Sequence, residues 1–374
     1  MERRALLTGL AAVGAASLLG CSSESDDPRP RTSPSPSDSP TPARSTTPTP
    51  SPTAGTPRVD REIATGLAVP WGIAFLEDGD ALVSLRDEGR IVRVPQEGRP
   101  RPVGEVPGAA GVTGGEGGLL GLAIPPDDPG TLFAYVTTST DDRVVKMSLT
   151  RRGIGTPRPV LTGIPIGSRH HGGRLLFDDD GLLYVSTGDA GNAPLAQDRG
   201  SLAGKVLRID QDGKAAEDNP FDDRTWSYGH RNIEGLAFDE RGRLWAAEFG
   251  DKSADELNLI RRGGNYGWPR VEGRSDAAGL INPKATWGTD ECSPAGIAIT
   301  GSTAFIGALQ GECLFAVPLD GTHAGRPKAH LAGTYGRIRS VAVAPDGALW
   351  VTTSNRDGRG DIRGGDDRIL RVTV

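Results

Sequence analysis

Clusters of basic residues are missing from the sequence beyond its first few positions, and the formal net charge is −6. That balance argues against a nucleic-acid partner. A helical period is missing as well: from Arg58 onward the apolar residues alternate in short runs separated by Gly, Asp-Gly and Pro turns, which points to an all-β chain. The apolar run over residues 5–20 is too short to cross a bilayer comfortably. Cysteine is scarce, with 3 in 374 residues, so only Cys292 and Cys313 remain after Cys21 to form a disulfide.

What is present at the N-terminus reads as an address rather than as structure. Arg3 and Arg4 precede the small and apolar run, and residues 1–20 have the organisation of a signal peptide. The run ends in Leu18-Leu19-Gly20-Cys21, similar to a bacterial lipobox, so cleavage would leave a lipidated Cys21 at the head of the mature chain. A plain signal peptide with an incidental cysteine is the alternative, and the two arginines leave Sec and twin-arginine export both open. Residues 21–57 are dominated by Ser, Thr, Pro and Asp, which bury too little to offset the entropy of ordering, and are expected to form a disordered tether. The expected location is therefore the extracytoplasmic face of the cell membrane, lipid-anchored. There, Cys292 and Cys313, which fall in one repeat unit, are expected to pair, with free thiols as the alternative.

From residue 58 to 374 one pattern recurs: a Gly-rich approach, a short apolar strand, a turn such as Asp-Gly, and a second strand with aromatic or β-branched residues. The six copies span residues 71–83, 120–136, 173–185, 235–246, 296–306 and 340–351. A further strand follows, as in Arg90-Ile91-Val92-Arg93-Val94. Four antiparallel strands per blade, the first lining the axis, give a six-bladed β-propeller. A seven-bladed propeller and a double β-sandwich are the competing arrangements, and the number and spacing of the copies favour six blades.

Function in such a fold comes from loops gathered at one mouth of the channel. Ahead of the third inner strand lie His170 and His171. Adjacent residues of an extended chain point to opposite faces, so one can face the axis as a base or metal ligand; two solvated loop histidines are the alternative. Arg231-Asn232 precedes the fourth inner strand and Arg337-Ile338-Arg339 the sixth. Guanidinium groups converging from different blades repel unless an anion neutralises them, which points to a planar polycarboxylate, with surface salt bridges as the alternative. Between Glu248 and Asp276, the acids Asp251, Asp255 and Glu256 with nearby Gly and Asn offer oxygen ligands of the kind Ca²⁺ takes. No EF-hand spacing is present, and a solvated acidic loop fits equally.

Together these segments resemble the soluble quinoprotein sugar dehydrogenases, the aldose and glucose dehydrogenases that use pyrroloquinoline quinone (PQQ) on a six-bladed propeller. The resemblance runs from about Gly66 to the C-terminus and rests on Gly117-Gly118-Leu119-Leu120-Gly121, Asp218-Asn219-Pro220-Phe221 and residues 170–175, 200–207, 226–232, 255–258, 264–269 and 337–339. It implies His170 as general base, Arg231 and Asn232 as the pair that contacts the quinone, and Arg337 and Arg339 as the grip on the PQQ carboxylates. Main-chain carbonyls of Gly250 and Asp251 are implied to hold a Ca²⁺ that bridges protein and cofactor. Glu256, Tyr266 and Asp276, with main-chain oxygens of Glu272 and Arg274, are implied to hold a second, structural Ca²⁺. The implied reaction oxidises the anomeric hydroxyl of an aldose sugar to a lactone, hydride passing to the quinone and electrons then to an external acceptor.

Three positions depart from the family pattern. Gln310 stands where a Lys commonly contacts PQQ, Glu116 where glucose dehydrogenases have Gln, and Arg169 where those enzymes carry an acid that meets the sugar. A non-catalytic propeller that binds a sugar or a partner is the competing reading, and a metal-dependent lactonase a third; channel motifs rich in Arg rather than Asp and Glu argue against the last. Changing Cys21→Ser is expected to release the protein from the membrane fraction. A variant that stays bound would refute lipid attachment, because so short an apolar run does not anchor a chain by itself.

Overall fold

Each recurring unit folds as an antiparallel sheet whose first strand is innermost, and six such sheets form the blades of a propeller. The computed structural model describes residues 55–109 and 115–374, so the signal segment, Cys21 and the tether up to residue 54 lie outside the described residues. The innermost strands are Pro70–Phe75, Leu119–Ala123, Gly172–Phe177, Ile233–Phe238, Pro294–Thr300 and Ile338–Val343, and each packs against the next in a ring. Blade 6 draws on both ends of the chain: its outer strand, Arg58–Ala64, pairs with Ile369–Thr373. Beside that seam Asp367 accepts hydrogen bonds from the N–H groups of Val69 (3.2 Å) and Asn355 (2.6 Å), tying the last blade to the entry of the first.

The core is divided among the blade interfaces. Alternation along a strand normally leaves one face to water, but here both faces of the middle strands are apolar, as in Ala81–Leu85, buried at every position. Apolar clusters accordingly lie between each pair of neighbouring blades, for example Phe133 and Tyr135 of blade 2 against Leu183 and Val185 of blade 3. Between blades 4 and 5, Trp245 and Trp287 pack with Ile297 and Ile306, each large side chain contributing roughly 1.5–3 kcal/mol. Cys292 and Cys313 belong to this cluster, and the expected disulfide between them is not formed. Both serve as small apolar side chains, and burial pushes the two thiols up, Cys313 to about 12.

Every innermost strand breaks register with its neighbour at the same step, between residues 70 and 73, 119 and 122, 172 and 175, 233 and 235, 294 and 297, and 338 and 341. Such bulges re-aim side chains, and the residues caught in them include Trp71, Arg174, Glu234 and Arg339. Neighbouring backbones approach closely at this level: a Cβ at Gly72 would lie 2.6 Å from the Leu120 carbonyl oxygen, and one at Gly296 2.7 Å from Ser340 Cα. Hydroxyls bridge the gap. Ser84 Oγ accepts from the Gly72 N–H (2.7 Å) and donates to Leu120 O (2.6 Å), and Ser186 repeats the device between the Arg174 N–H (2.9 Å) and Ile233 O (2.8 Å).

Arg174 uses its bulge to reach across the channel. Its guanidinium donates to Glu234 O (2.8 Å) and Ser340 Oγ (3.1 Å) and lies 4.2 Å from the Trp71 ring centroid, so a blade 3 side chain touches blades 4, 6 and 1. Channel water still reaches part of the residue. Even so, the protein packed around it lowers the guanidinium pKa to about 10. Replacing Arg174→Met keeps apolar bulk but removes these contacts, and should cost about 2 kcal/mol, the scale of a charge-assisted hydrogen bond. A urea midpoint equal to that of the wild type would show that the axial contact does not stabilise the ring.

Candidate functional site

Loops leading into the innermost strands surround a cavity of about 380 Å³ at one mouth of the channel. Its wall brings together Glu116, His170, Arg231, Asn232, Gln310, Arg337 and Arg339 with Gly250 and Asp251, from five different blades or blade connections. A wider groove of about 870 Å³ between blades 1 and 2 is lined by turn residues whose Arg93 is already paired with Asp78 and Asp80. The axial cavity is the one that concentrates buried charge.

His170 adopts a φ of +63°, a left-handed conformation that few non-glycine residues take without support. The support is visible. Its N–H donates to Glu116 Oε2 (2.9 Å), and its ring Nδ1 lies 2.6 Å from Asp189 Oδ1. Asp189 also accepts from Trp268 Nε1 (2.8 Å) and the Gly191 N–H (2.7 Å). Burial would raise the Asp189 carboxyl, but the His170 ring and these donors outweigh it and hold it below the usual range. A carboxylate on Nδ1 assigns the proton there and leaves Nε2 with a lone pair, the arrangement of a positioned base. His171 turns away from the cavity, with Nδ1 2.8 Å from Asp142 Oδ2 and its carbonyl accepting from Tyr135 Oη. Burial opposes the charged His171 ring, yet Asp142 holds its pKa above the ordinary value.

The arginines are individually answered. Arg337 donates to Asp357 Oδ2 (3.1 Å) and Leu309 O (3.3 Å), while Arg339 reaches Glu234 Oε2 (2.6 Å), Ser354 Oγ (3.0 Å) and Asp357 Oδ2 (3.2 Å). Burial opposes the charge on Arg339, but Glu234 and Asp357 overcome it and raise its pKa. Arg231 binds Asp251 Oδ1 (2.9 Å) and lies over the Trp268 ring, and its backbone N–H is held by Glu248 Oε1 (2.6 Å). Its buried Nε has no hydrogen-bond partner among the described residues. Asn232 is spent on the backbone, accepting from the Gly172 N–H (2.9 Å), and Gln310 is exposed on the rim.

Gly250 and Asp251 sit on a turn shaped by two carboxylates. Asp255 Oδ1 accepts from the Gly250 N–H (2.8 Å), and Glu272 Oε1 gathers the N–H groups of Asp251 (2.6 Å), Lys252 (2.9 Å), Ser253 (2.9 Å) and Ala254 (3.1 Å). Of the residues expected around a second cation, Glu256, Tyr266 and Glu272 line one small pocket. Glu256 accepts from Asn258 and the Gly273 N–H, and the Tyr266 hydroxyl donates to Leu259 O (2.6 Å) and accepts from the Arg261 N–H. Asp276 and Arg274 lie exposed on their loop. Among the described residues no three His, Cys, Asp or Glu side chains form a metal cage. Local burial and the nearby Glu248 carboxylate raise the Glu256 carboxyl instead.

Asp189, Glu234, Asp357 and Trp268 therefore act in the site without having been singled out from the sequence. Asp189 had a readable signal: the pairing of Gly172 with Thr187, continued two residues outward, sets His170 opposite Asp189. Asp357 had none, since it reaches Arg337 and Arg339 from a loop after the second strand of blade 6.

A family model for glucose/sorbosone dehydrogenase matches residues 67–370. The aldose sugar dehydrogenase YliI of Escherichia coli strain K12 is 31% identical over 337 residues, 77% of this chain and 88% of its own length. Quinoprotein glucose dehydrogenase B of Acinetobacter calcoaceticus is 33% identical over 255 residues, 58% of this chain and 53% of its own. Among solved structures, the PQQ-bound form of aldose sugar dehydrogenase from Streptomyces coelicolor is similar with a TM-score of 0.83 at 48% identity, over 86% of this chain and 99% of that one.

The Glu272 cradle gives a pH-dependent test. Burial would raise its carboxyl, but the four N–H donors pull it down to about 2. A depressed folded pKa means that the stabilisation is complete above the ordinary carboxylate value near 4.5 and is lost as pH falls toward 2. Glu272→Ala should cost about 1–2 kcal/mol at neutral pH after allowing for screening at this half-buried position, with faster amide exchange at residues 251–254. A difference between wild type and variant that persists undiminished at pH 2 would contradict this account.

Proposed function

The chain belongs to the glucose/sorbosone dehydrogenase family, and on that premise we propose that it oxidises the anomeric hydroxyl of aldose sugars to lactones with PQQ as cofactor and Ca²⁺ beside it. The observation that carries the reading is the His170–Asp189 pair opening into the same cavity as Arg231, Arg337 and Arg339.

The residues present fit a planar tricarboxylate. Arg337 and Arg339 would hold its carboxylates, and the orphaned Nε of Arg231 is a buried donor that a ligand acceptor would satisfy. Main-chain oxygens of Gly250 and Asp251, on the cradled turn, would hold the Ca²⁺. When bound, PQQ supplies the hydride acceptor. His170 then takes the hydroxyl proton on Nε2, and anionic Asp189 stabilises the imidazolium that forms, with Trp268 and Gly191 fixing the carboxylate in place. The lipobox-like segment supports a lipid-anchored, extracytoplasmic position, from which electrons would pass to an external acceptor.

The experiment loads the purified protein with PQQ and Ca²⁺ and follows dye reduction across a panel of aldoses. His170→Ala should retain PQQ and lose at least about 10²-fold in kcat, the low end of what a positioned base contributes. Arg337→Ala should weaken PQQ binding by about 1.5–3 kcal/mol in an absorbance titration. Full turnover in His170→Ala removes the base assignment, and a PQQ-bound wild type inert with every aldose favours the binding-protein reading.

A further inference from the structure

Six arginines line the cavity, and carboxylates answer five of them: Asp87 pairs with Arg86, Asp251 with Arg231, Asp357 with Arg337, Glu234 with Arg339 and Glu116 with Arg359. Arg169 is the sixth. It is exposed on the rim and has no hydrogen-bond or ion-pair partner among the described residues. It lies over the turn at Gly191, where a Cβ would lie 3.6 Å from Arg169 Nε and 3.7 Å from its Cγ. The N–H of that same Gly191 donates to Asp189 Oδ1 (2.7 Å), the carboxylate that holds His170. An unanswered guanidinium thus lines the same cavity as the base, one residue before it in the chain.

We infer that Arg169 reads an anionic group on the sugar, so that the preferred substrates are aldoses carrying an anion remote from the anomeric carbon, as in the uronic acids. The inference rests on the proposed dehydrogenase reading and narrows its substrate class. A neutral hexose offers Arg169 only hydroxyl contacts, whereas a carboxylate forms a bidentate, charge-assisted pair. The arginines assigned to PQQ are all buried, and Arg169 is not. The chemistry is unchanged by the anion: the C1–H bond breaks with its electron pair passing as hydride to the quinone, the hydroxyl proton passes to His170, and a C1=O bond forms. The remote carboxylate binds and does not react.

The test compares kcat/KM for D-galacturonate and D-galactose with the full chain loaded with PQQ and Ca²⁺, and adds glucose 6-phosphate against glucose as the phosphate arm. The uronate should be favoured at least about ten-fold at low ionic strength, less so as salt screens the pair. Arg169→Ala should erase most of that ratio and Arg169→Lys should restore part of it. A larger preference for the phosphate arm supports the same anion reading with phosphate as the group. Calorimetric binding of galacturonate to the protein loaded with Ca²⁺ and the reduced quinol form of PQQ, which accepts no hydride, reads the assignment without turnover, and equal affinity in wild type and Arg169→Ala overturns it. Weaker PQQ binding in Arg169→Ala moves the residue to the cofactor and also overturns it. A wild type that binds galacturonate through Arg169 but oxidises no aldose supports the inference while sinking the dehydrogenase reading.

Discussion

Guanidinium groups from blades 3, 4 and 6 enter the channel where the innermost strands crowd together, and two like charges 4 Å apart in a protein-like dielectric repel by about 4 kcal/mol. The propeller can hold them only because each is met by a carboxylate or a carbonyl, from another blade or from a loop of its own. Arg174 meets Glu234 O, Arg339 meets Glu234 and Asp357, and Arg231 meets Asp251. The contacts of Arg174 and Arg339 with Glu234 join blades near the axis, complementing the apolar clusters further out. They also pre-set the cavity, because a carboxylate that balances an arginine is one with which an anionic ligand competes.

The bulge at the head of each innermost strand makes this convergence possible. An unbroken strand would alternate its side chains between the two blade interfaces, and charged residues there would lie against the apolar clusters. With one residue out of register, Arg174, Glu234 and Arg339 leave that alternation within the very strands whose later residues build the core. The glycines and hydroxyls beside the bulges follow from the same constraint, since neighbouring backbones come too close there for most side chains.

Much of this was legible in the sequence. Six inner strands were identifiable because the Gly-rich approach and the Asp-Gly-type turn recur at regular spacing, and His170, Arg231, Arg337 and Arg339 because they interrupt the pattern just ahead of those strands. Their partners were harder. Asp189 follows from hairpin register once the strand pairing is known, but Asp357 reaches its arginines from a loop that no local periodicity constrains. The pairing of Arg58–Ala64 with Ile369–Thr373 was hidden for a similar reason, being a contact between opposite ends of the chain. Cys292 and Cys313 share a repeat unit, as the sequence indicates, yet proximity in one unit did not join them. Of the residues expected around a second Ca²⁺, Glu256, Tyr266 and Glu272 line one small pocket, while Arg274 and Asp276 lie exposed on their loop.

That end-to-end pairing also sets an order of events. The segment 58–64 leaves the ribosome before any blade exists, and its partner 369–373 is the last strand of the propeller to appear. Until then the strand has an unpaired edge, and the loop that must close for it to dock spans 315 residues at the Thr373–Arg58 contact. By chain-closure entropy such a loop costs about 5 kcal/mol, most of it already incurred in a loop a fraction as long. Size is therefore a lesser obstacle than timing: five blades can stack while segment 58–64 waits for its partner strand. A chain cut before residue 369 would keep most of its core but strand segment 58–64, leaving open sheet edges on one molecule and a route to pairing with another.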